Sequence, residues 1–219
     1  MRKVVAGVFV SLDGVMQAPG GPEEDPTRGF RHGGWTFHYW DSVMEQSMGE
    51  VFGGPFDLLL GRKTYEIFNA HWPHLENDPI ADVFNRVTKY VATTSREPLT
   101  WKNSVALNNP AADVANLRQQ NGPTLLIQGS SQLIQTLLRH DLIDELRLMV
   151  FPLVLGSGKR LFGDGTIPRA LKLVSAKPST TGVVISAYQR GGDITTGSFA
   201  LAEPTPAELA RRERMKREG

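Results

Sequence analysis

The sequence predicts an α/β protein: a central, mostly parallel sheet with an antiparallel C-terminal edge and helices on its flanks. Three observations point there. Short apolar or β-branched runs alternate with stretches of helical periodicity along most of the 219 residues, the order expected of parallel strands joined by crossover helices. Two of those runs end in a glycine that leads straight into a helix, at Gly61 and Gly129. The last two runs, 171–176 and 183–190, have no helix between them and read as an antiparallel pair.

Taken in order, the first strand covers 3–12 and stops at the turn signal Asp13-Gly14. Residues 17–34 have loop composition at a length that compact domains rarely carry without a use for it. A helix follows over 41–52, with Asp41 as N-cap and Val43, Met44, Met48, Val51 and Phe52 as its apolar stripe. Phe56 to Gly61 is a short buried strand, and Arg62 to Phe68 is one or two helical turns after it. A helix near 79–86 leads into a strand over 89–95 that is rich in β-formers. Asn109-Pro110 opens the next helix, with proline at its first position, and Asn121-Gly122 closes it. Thr124 to Gln128 is a strand that Gly129-Ser130-Ser131 turns into a helix, where Leu133, Ile134, Leu137 and Leu138 repeat at helical spacing. Glu145 to Pro152 is the strand before the closing pair. The stretch from Glu203 is charged and proline-punctuated, with an exposed helix over 207–216. This divides the chain into one domain, 1–190, and a tail or partner arm, 191–219.

Composition removes several classes of function. The formal net charge of +1 lacks the positive field of a dedicated nucleic-acid binder. With no cysteine, disulfides, thiolate metal sites and cysteine nucleophiles are excluded. The apolar run Val4–Val10 meets Ser11-Leu12-Asp13-Gly14 rather than a cleavage site, and no stretch approaches the ~20 apolar residues of a membrane span. The expectation is a cytoplasmic protein with neither nucleic-acid nor membrane partners. Gly156-Ser157-Gly158-Lys159-Arg160 has a P-loop flavour, but Leu153 stands where glycine is required and Arg160 where Ser or Thr is. His71 and His74 flank a Trp-Pro pair without a third ligand at metal-binding spacing, so no metal is expected. There is no Gly-x-Ser-x-Gly elbow.

What remains favours phosphate. At Gly61-Arg62-Lys63-Thr64 a tight glycine turn presents a helix N-terminus beside a guanidinium and a hydroxyl. Gly129-Ser130-Ser131 repeats the arrangement without a cation, and Thr93-Thr94-Ser95-Arg96 puts hydroxyls and an arginine at a strand end. Taken singly, each is equally a glycine turn with capping hydroxyls or a solvated arginine. Together they lie where α/β sheets bind ligands, outside the carboxyl ends of the strands. Asp13 is either a proton donor or a turn residue. Trp35, Phe37, His38, Tyr39 and Trp40 form either core or the wall of a site for a flat ring.

In this order, Asp13-Gly14, Leu58-Leu59-Leu60-Gly61-Arg62-Lys63-Thr64-Tyr65-Glu66, Val91 to Arg96 and Leu126-Ile127-Gln128-Gly129-Ser130-Ser131 resemble the dihydrofolate reductase-like superfamily. The segment from Gln128 through Leu142-Ile143-Asp144-Glu145 to Phe151-Pro152-Leu153-Val154-Leu155-Gly156-Ser157-Gly158 is similar to the branch that includes the reductase domain of bacterial riboflavin biosynthesis. The resemblance spans roughly 3–190. It implies a dihydrofolate reductase-like sheet, NADPH bound in an extended pose, and a homodimer. Gly61, Arg62 and Thr64 would hold the cofactor's phosphates from one side. Ser95 and Arg96, beside Thr94, would read the 2′-phosphate. Gln128, Gly129, Ser130 and Ser131 would contact the pyrophosphate region from the opposite helix. Asp13 would lie near the nicotinamide, under a lid formed by the loop after it, and the proton would come from Asp13, Asp41 or a water; Trp35, Tyr39 and Asp41 are the candidate substrate contacts. The implied chemistry is hydride transfer to a C=N or C=O carbon of a small carbonyl compound or a pterin- or pyrimidine-like heterocycle. The alternatives are a catalytically silent nucleotide sensor or scaffold, and a flavin or deazaflavin binder. Two departures stand out. The superfamily's Gly-Gly is Gly129-Ser130 here, where a cis peptide would cost ~3 kcal/mol or more. Asp41 and Glu45 match no folate-binding carboxylate motif, so no folate role is transferred.

Overall fold

A computed structural model describes residues 1–164 and 166–218. Its sheet is built outward from β1 (Val4–Ser11), an apolar run buried on both faces. In chain order the elements are α1 (Ser42–Phe52), β2 (Phe56–Gly61), α2 (Arg62–Asn69), α3 (Pro79–Arg86), β3 (Lys89–Ala92), β4 (Ser104–Leu107), α4 (Pro110–Gln119), β5 (Thr124–Gln128), α5 (Ser131–Arg139), β6 (Glu145–Phe151), β7 (Leu171–Pro178), β8 (Val184–Arg190) and α6 (Pro206–Glu218). The strands stand in the order β4-β3-β2-β5-β1-β6-β8-β7. From β4 through β6 every neighbouring pair is parallel, while β8 runs antiparallel to both β6 and β7. This is the mixed sheet with an antiparallel C-terminal edge that the sequence predicts.

The pleat of β1 divides the core. Val4, Ala6, Val8 and Val10 face one side and pack with Val114 and Leu117 of α4 and Leu133, Ile134 and Leu137 of α5. On the other side, Val5 joins a cluster with Leu58, Leu60, Tyr65 and Phe84, and Phe9 packs against one formed by Met44, Met149 and Phe151. Gly7 lies between Val5 and Phe9, so this face has no side chain at its middle, and a groove reaches down to the strand backbone.

Two boundaries differ from the sequence reading. β3 ends at Ala92 rather than Ser95, because the Thr93 amide donates to Leu107 O (3.1 Å) and the Thr93 hydroxyl then accepts from the Ser95 amide (3.0 Å), curling the chain away. β4 was not anticipated. It is a four-residue edge strand paired on one side only, with Val105 45% exposed, and so lacks the alternation that marks a half-buried strand. The C-terminal segment 191–218 lies exposed, and α6 buries none of its residues.

Candidate functional site

The carboxyl ends of β2, β3 and β5 and the middle of β1, Gly7 to Phe9, border a cleft of about 2050 Å³. Small-molecule pockets usually hold about 300–1,000 Å³, so this cleft has room for an extended ligand together with a smaller one. Both glycine turns open onto it. Gly61 ends β2 and begins α2, while Gly129 and Ser130 join the adjacent β5 to α5.

The helix N-termini at the two glycine turns differ from the others, including those of α3 and α4, whose Ile80 and Pro110 also line the cleft. α1, α3 and α4 are capped by the side chains of Asp41, Asp78 and Asn109, and each carries an acid in its first turn: Glu45, Asp82 and Asp113. α2 and α5 have neither a side-chain cap nor an acidic first turn. Their leading N–H groups and positive dipole ends therefore face the cleft without internal compensation, which is the arrangement that binds anions.

Ser130 ties these termini together. Its hydroxyl accepts from the Gly61 amide (2.8 Å) and donates to Thr64 Oγ1 (2.8 Å). The chain reaches this position through two successive left-handed residues, Gly129 (φ 71°) and Ser130 (φ 67°). A Cβ at Gly61 would lie 3.2 Å from Ser130 Oγ, and one at Gly129 would lie 3.4 Å from Thr64 Cγ2, so glycine permits the close approach at both. The Gly129–Ser130 peptide is trans. Among the expected cofactor contacts, Gly61, Arg62, Thr64, Thr94, Ser95, Gln128, Gly129, Ser130 and Ser131 all line the cleft. Arg96 is exposed and lies outside its lining. Arg62 is engaged by Glu66 and Glu97.

Gly7 and Gln128 face each other in register on β1 and β5. The Gln128 carboxamide lies over Gly7, 2.8 Å from where a Cβ would sit, and it is the polar group on the cleft floor there. Gly7 escaped the sequence reading. A glycine inside an otherwise apolar strand is the signal for such a close approach.

The long loop forms a wall of the cleft. The buried Gln17 amide donates to Asp25 O (2.9 Å) and Thr27 O (3.0 Å), and its carbonyl accepts from the Lys159 amide (3.0 Å). Lys159 pairs in turn with Asp25. Burial pushes the Glu24 carboxyl, also on this wall, above its ordinary value. The apolar side chains of Phe9, Trp40, Met48 and Phe52 also line the cleft.

Besides Arg96, four expected site residues lie outside the cleft lining. Asp13 is outside the cleft lining, and its carboxylate clamps the segment 155–160. It accepts from the Ser11 hydroxyl (2.6 Å) and from the amides of Leu155 (3.1 Å) and Gly156 (2.9 Å), and Arg160 lies 3.4 Å away. Burial pushes this carboxyl up, but those donors outweigh it and hold it at about 2, so it is ionised at neutral pH and holds no proton to donate. The same contacts give the P-loop-flavoured segment a structural role, since the Gly156 amide points at Asp13. Asp41 is the N-cap of α1, accepting from the Met44 amide (2.9 Å) and from the amide (2.7 Å) and hydroxyl (2.6 Å) of Thr180. Trp35 and Tyr39 pack edge-on against Phe151 at 5.0 and 5.6 Å, and the Trp35 indole donates to Gln17 O (2.8 Å). Of the aromatic cluster, Phe37 and Trp40 reach the cleft.

The Asp13 clamp makes a prediction. A carboxyl depressed in the folded state stabilises above its unfolded pKa and loses that stabilisation as pH falls through the folded value. Between about pH 4 and pH 2, wild type should lose thermal stability that Asp13→Asn lacks at every pH. Melting curves of the two proteins across this range that run parallel would remove the clamp.

The RibD C-terminal domain pattern matches residues 2–185. The Bacillus subtilis protein YyaP is 27% identical over 197 residues, covering 87% of this chain and 96% of its own. Among solved structures, a pyrimidine reductase-like protein of Corynebacterium diphtheriae superposes with a TM-score of 0.58 at 13% identity, covering 88% of this chain and 93% of its own. The dihydrofolate reductase of Enterococcus faecalis, solved with NADP(H), gives 0.54 at 16% identity, with coverages of 86% and 96%. At these identities the structural likeness is one of fold, and the fold is dihydrofolate reductase-like.

Proposed function

The chain belongs to the RibD C-terminal domain family, and on that premise we propose that it is an NADPH-dependent reductase of a small heterocyclic or carbonyl compound. One observation carries the reading. The two helices that follow the glycine turns at the cleft lack both a side-chain cap and a first-turn acid, whereas α1, α3 and α4 have both. Such paired termini suit the two charges of a pyrophosphate. The residues present fit a nicotinamide dinucleotide. Gly61 and Gly129 let the backbone come close, the first-turn amides of α2 and α5 would hold the pyrophosphate, and Ser130 fixes the spacing between the two turns.

When bound, the reduced cofactor supplies a hydride. The chain's part is to bind and orient. Gly7 lets the Gln128 carboxamide lie low on the cleft floor, where it offers both a donor and an acceptor to an amide. Phe9, Trp40, Met48 and Phe52 give the cleft an apolar surface for a second planar molecule.

Trp40 makes the test direct, because a ligand in the cleft lies beside an indole. Titration of the purified protein with NADPH should quench tryptophan emission saturably. If neither NADPH nor NADH quenches, the dinucleotide reading falls. Binding without oxidation of NADPH across a panel of carbonyl, quinone and pterin compounds would instead favour a nucleotide sensor. A yellow protein as purified would favour a flavin.

A further inference from the structure

We propose that Glu97 sets the nucleotide preference of this cleft by holding Arg62 in an internal ion pair that an incoming 2′-phosphate must displace. The proposal rests on the cleft being a pyridine-dinucleotide site. Arg62 is the first residue of α2 and lines the cleft beside Gly61. Its guanidinium is already used on three sides. Nε donates to Glu66 Oε1 (2.6 Å), Nη1 to the carbonyl of Glu97 (3.0 Å) and Nη2 to Glu97 Oε2 (3.1 Å). One arginine thus serves two carboxylates, and the fork that would grip a phosphate in bidentate fashion is turned toward Glu97.

Glu97 is brought there by the chain just past β3. The Thr93 hydroxyl accepts from the Ser95 amide (3.0 Å), and the Ser95 hydroxyl accepts from the Glu97 amide (3.2 Å). These two turns fold the segment back onto α2, so that Thr94 and Ser95 line the cleft while Glu97 meets Arg62. The Glu97 side chain is 77% exposed and that of Arg62 18%. The glutamate is therefore the solvent-facing partner, and the arginine is the one packed against the fold.

The two forms of the dinucleotide meet this pair differently. A 2′-phosphate must compete with a carboxylate for the guanidinium and then remain beside that carboxylate, within a Debye length of about 8–10 Å. A ribose 2′,3′-diol needs an acceptor, and the Glu97 carboxylate, held beside Arg62 at the edge of the cleft, supplies one. Glu97 consequently narrows the preference for NADPH over NADH that Arg62 would otherwise give. Neutralising it should widen that preference.

The test is a set of tryptophan-quenching titrations of the full chain with NADPH and with NADH, for wild type and Glu97→Gln, at low and high salt. We expect the NADPH Kd to fall about fivefold in Glu97→Gln, the size of one exposed ion pair, with the NADH Kd unchanged or raised. The NADPH gain should shrink at high salt. Because Glu97 is exposed, the variant should keep the wild-type melting temperature, which checks that it folds. Equal shifts for both nucleotides, or none for NADPH, would overturn the role of Glu97 and leave the dinucleotide site intact. Absence of binding by either nucleotide in both proteins would overturn the site itself, and this proposal with it.

Discussion

Ser131→Asp is expected to weaken dinucleotide binding about a hundredfold while leaving the melting temperature unchanged or slightly raised. Ser131 is the first residue of α5 and lines the cleft, and nothing acidic stands in the first turn of that helix. An aspartate there complements the macrodipole, as Glu45, Asp82 and Asp113 do in the first turns of α1, α3 and α4. Such placement is worth about 0.3–1 kcal/mol of stability. The same charge would occupy the field that the pyrophosphate needs and repel it at close range. Losing charge-assisted contacts costs about 1.5–3 kcal/mol each, and about 2.7 kcal/mol is a hundredfold in affinity. Opposite signs on folding and binding separate this outcome from generic damage, which would lower both. A variant that melts normally and still binds NADPH with wild-type affinity would mean that the α5 terminus holds no phosphate.

The elements of this fold were legible where local chemistry decides them. Gly61 and Gly129 announce tight turns because strand, glycine and helical period adjoin in the sequence. Asp41 reads as an N-cap because capping reaches only three residues ahead, and the structure has that bond to Met44. The site was less legible because side-chain direction is set by partners far along the chain. Asp13 is claimed by Leu155 and Gly156, Asp41 also by Thr180, and Trp35 and Tyr39 by Phe151. Each lies more than a hundred positions from its partner, and periodicity carries no such information. Lys89 shows the same limit. In the sequence it opens a strand, yet the structure buries it fully, with its ammonium on the carbonyls of Phe84 (3.0 Å) and Asn85 (3.2 Å) at the end of α3 and 4.4 Å from the Trp101 ring. The uncapped termini of α2 and α5 could be suspected from sequence, since neither first turn holds an acid. That they stand side by side depends on β2 pairing with β5, a crossover that the sequence order conceals.

At the other end of the sheet, Asp57→Ala should cost about 3–5 kcal/mol of stability and lower the melting temperature by on the order of 10 °C. Asp57, near the start of β2, is 9% exposed and pairs with Arg2, which is 4% exposed. Arg2 also donates to Pro123 O (2.7 Å), lies 3.4 Å from the Tyr90 hydroxyl and sits over the Tyr90 ring at 5.4 Å, while Asp57 Oδ1 accepts from the Thr88 amide (3.1 Å). Removing the carboxylate leaves a guanidinium that is always charged, buried among neutral groups, with no route to neutralise itself. The loss should come from this orphaned charge rather than from a missing attraction. The double variant Arg2→Met, Asp57→Leu should therefore recover most of it, short of the Thr88 bond. Asp57 is four residues from Gly61 along β2, roughly 13 Å at strand rise, so nucleotide affinity at 25 °C should stay at the wild-type value in both variants. Thermal melts followed by circular dichroism, paired with the quenching titration, read both quantities. A double variant no more stable than Asp57→Ala would show that the pair itself stabilises, and would shift the explanation from desolvation to the ion pair.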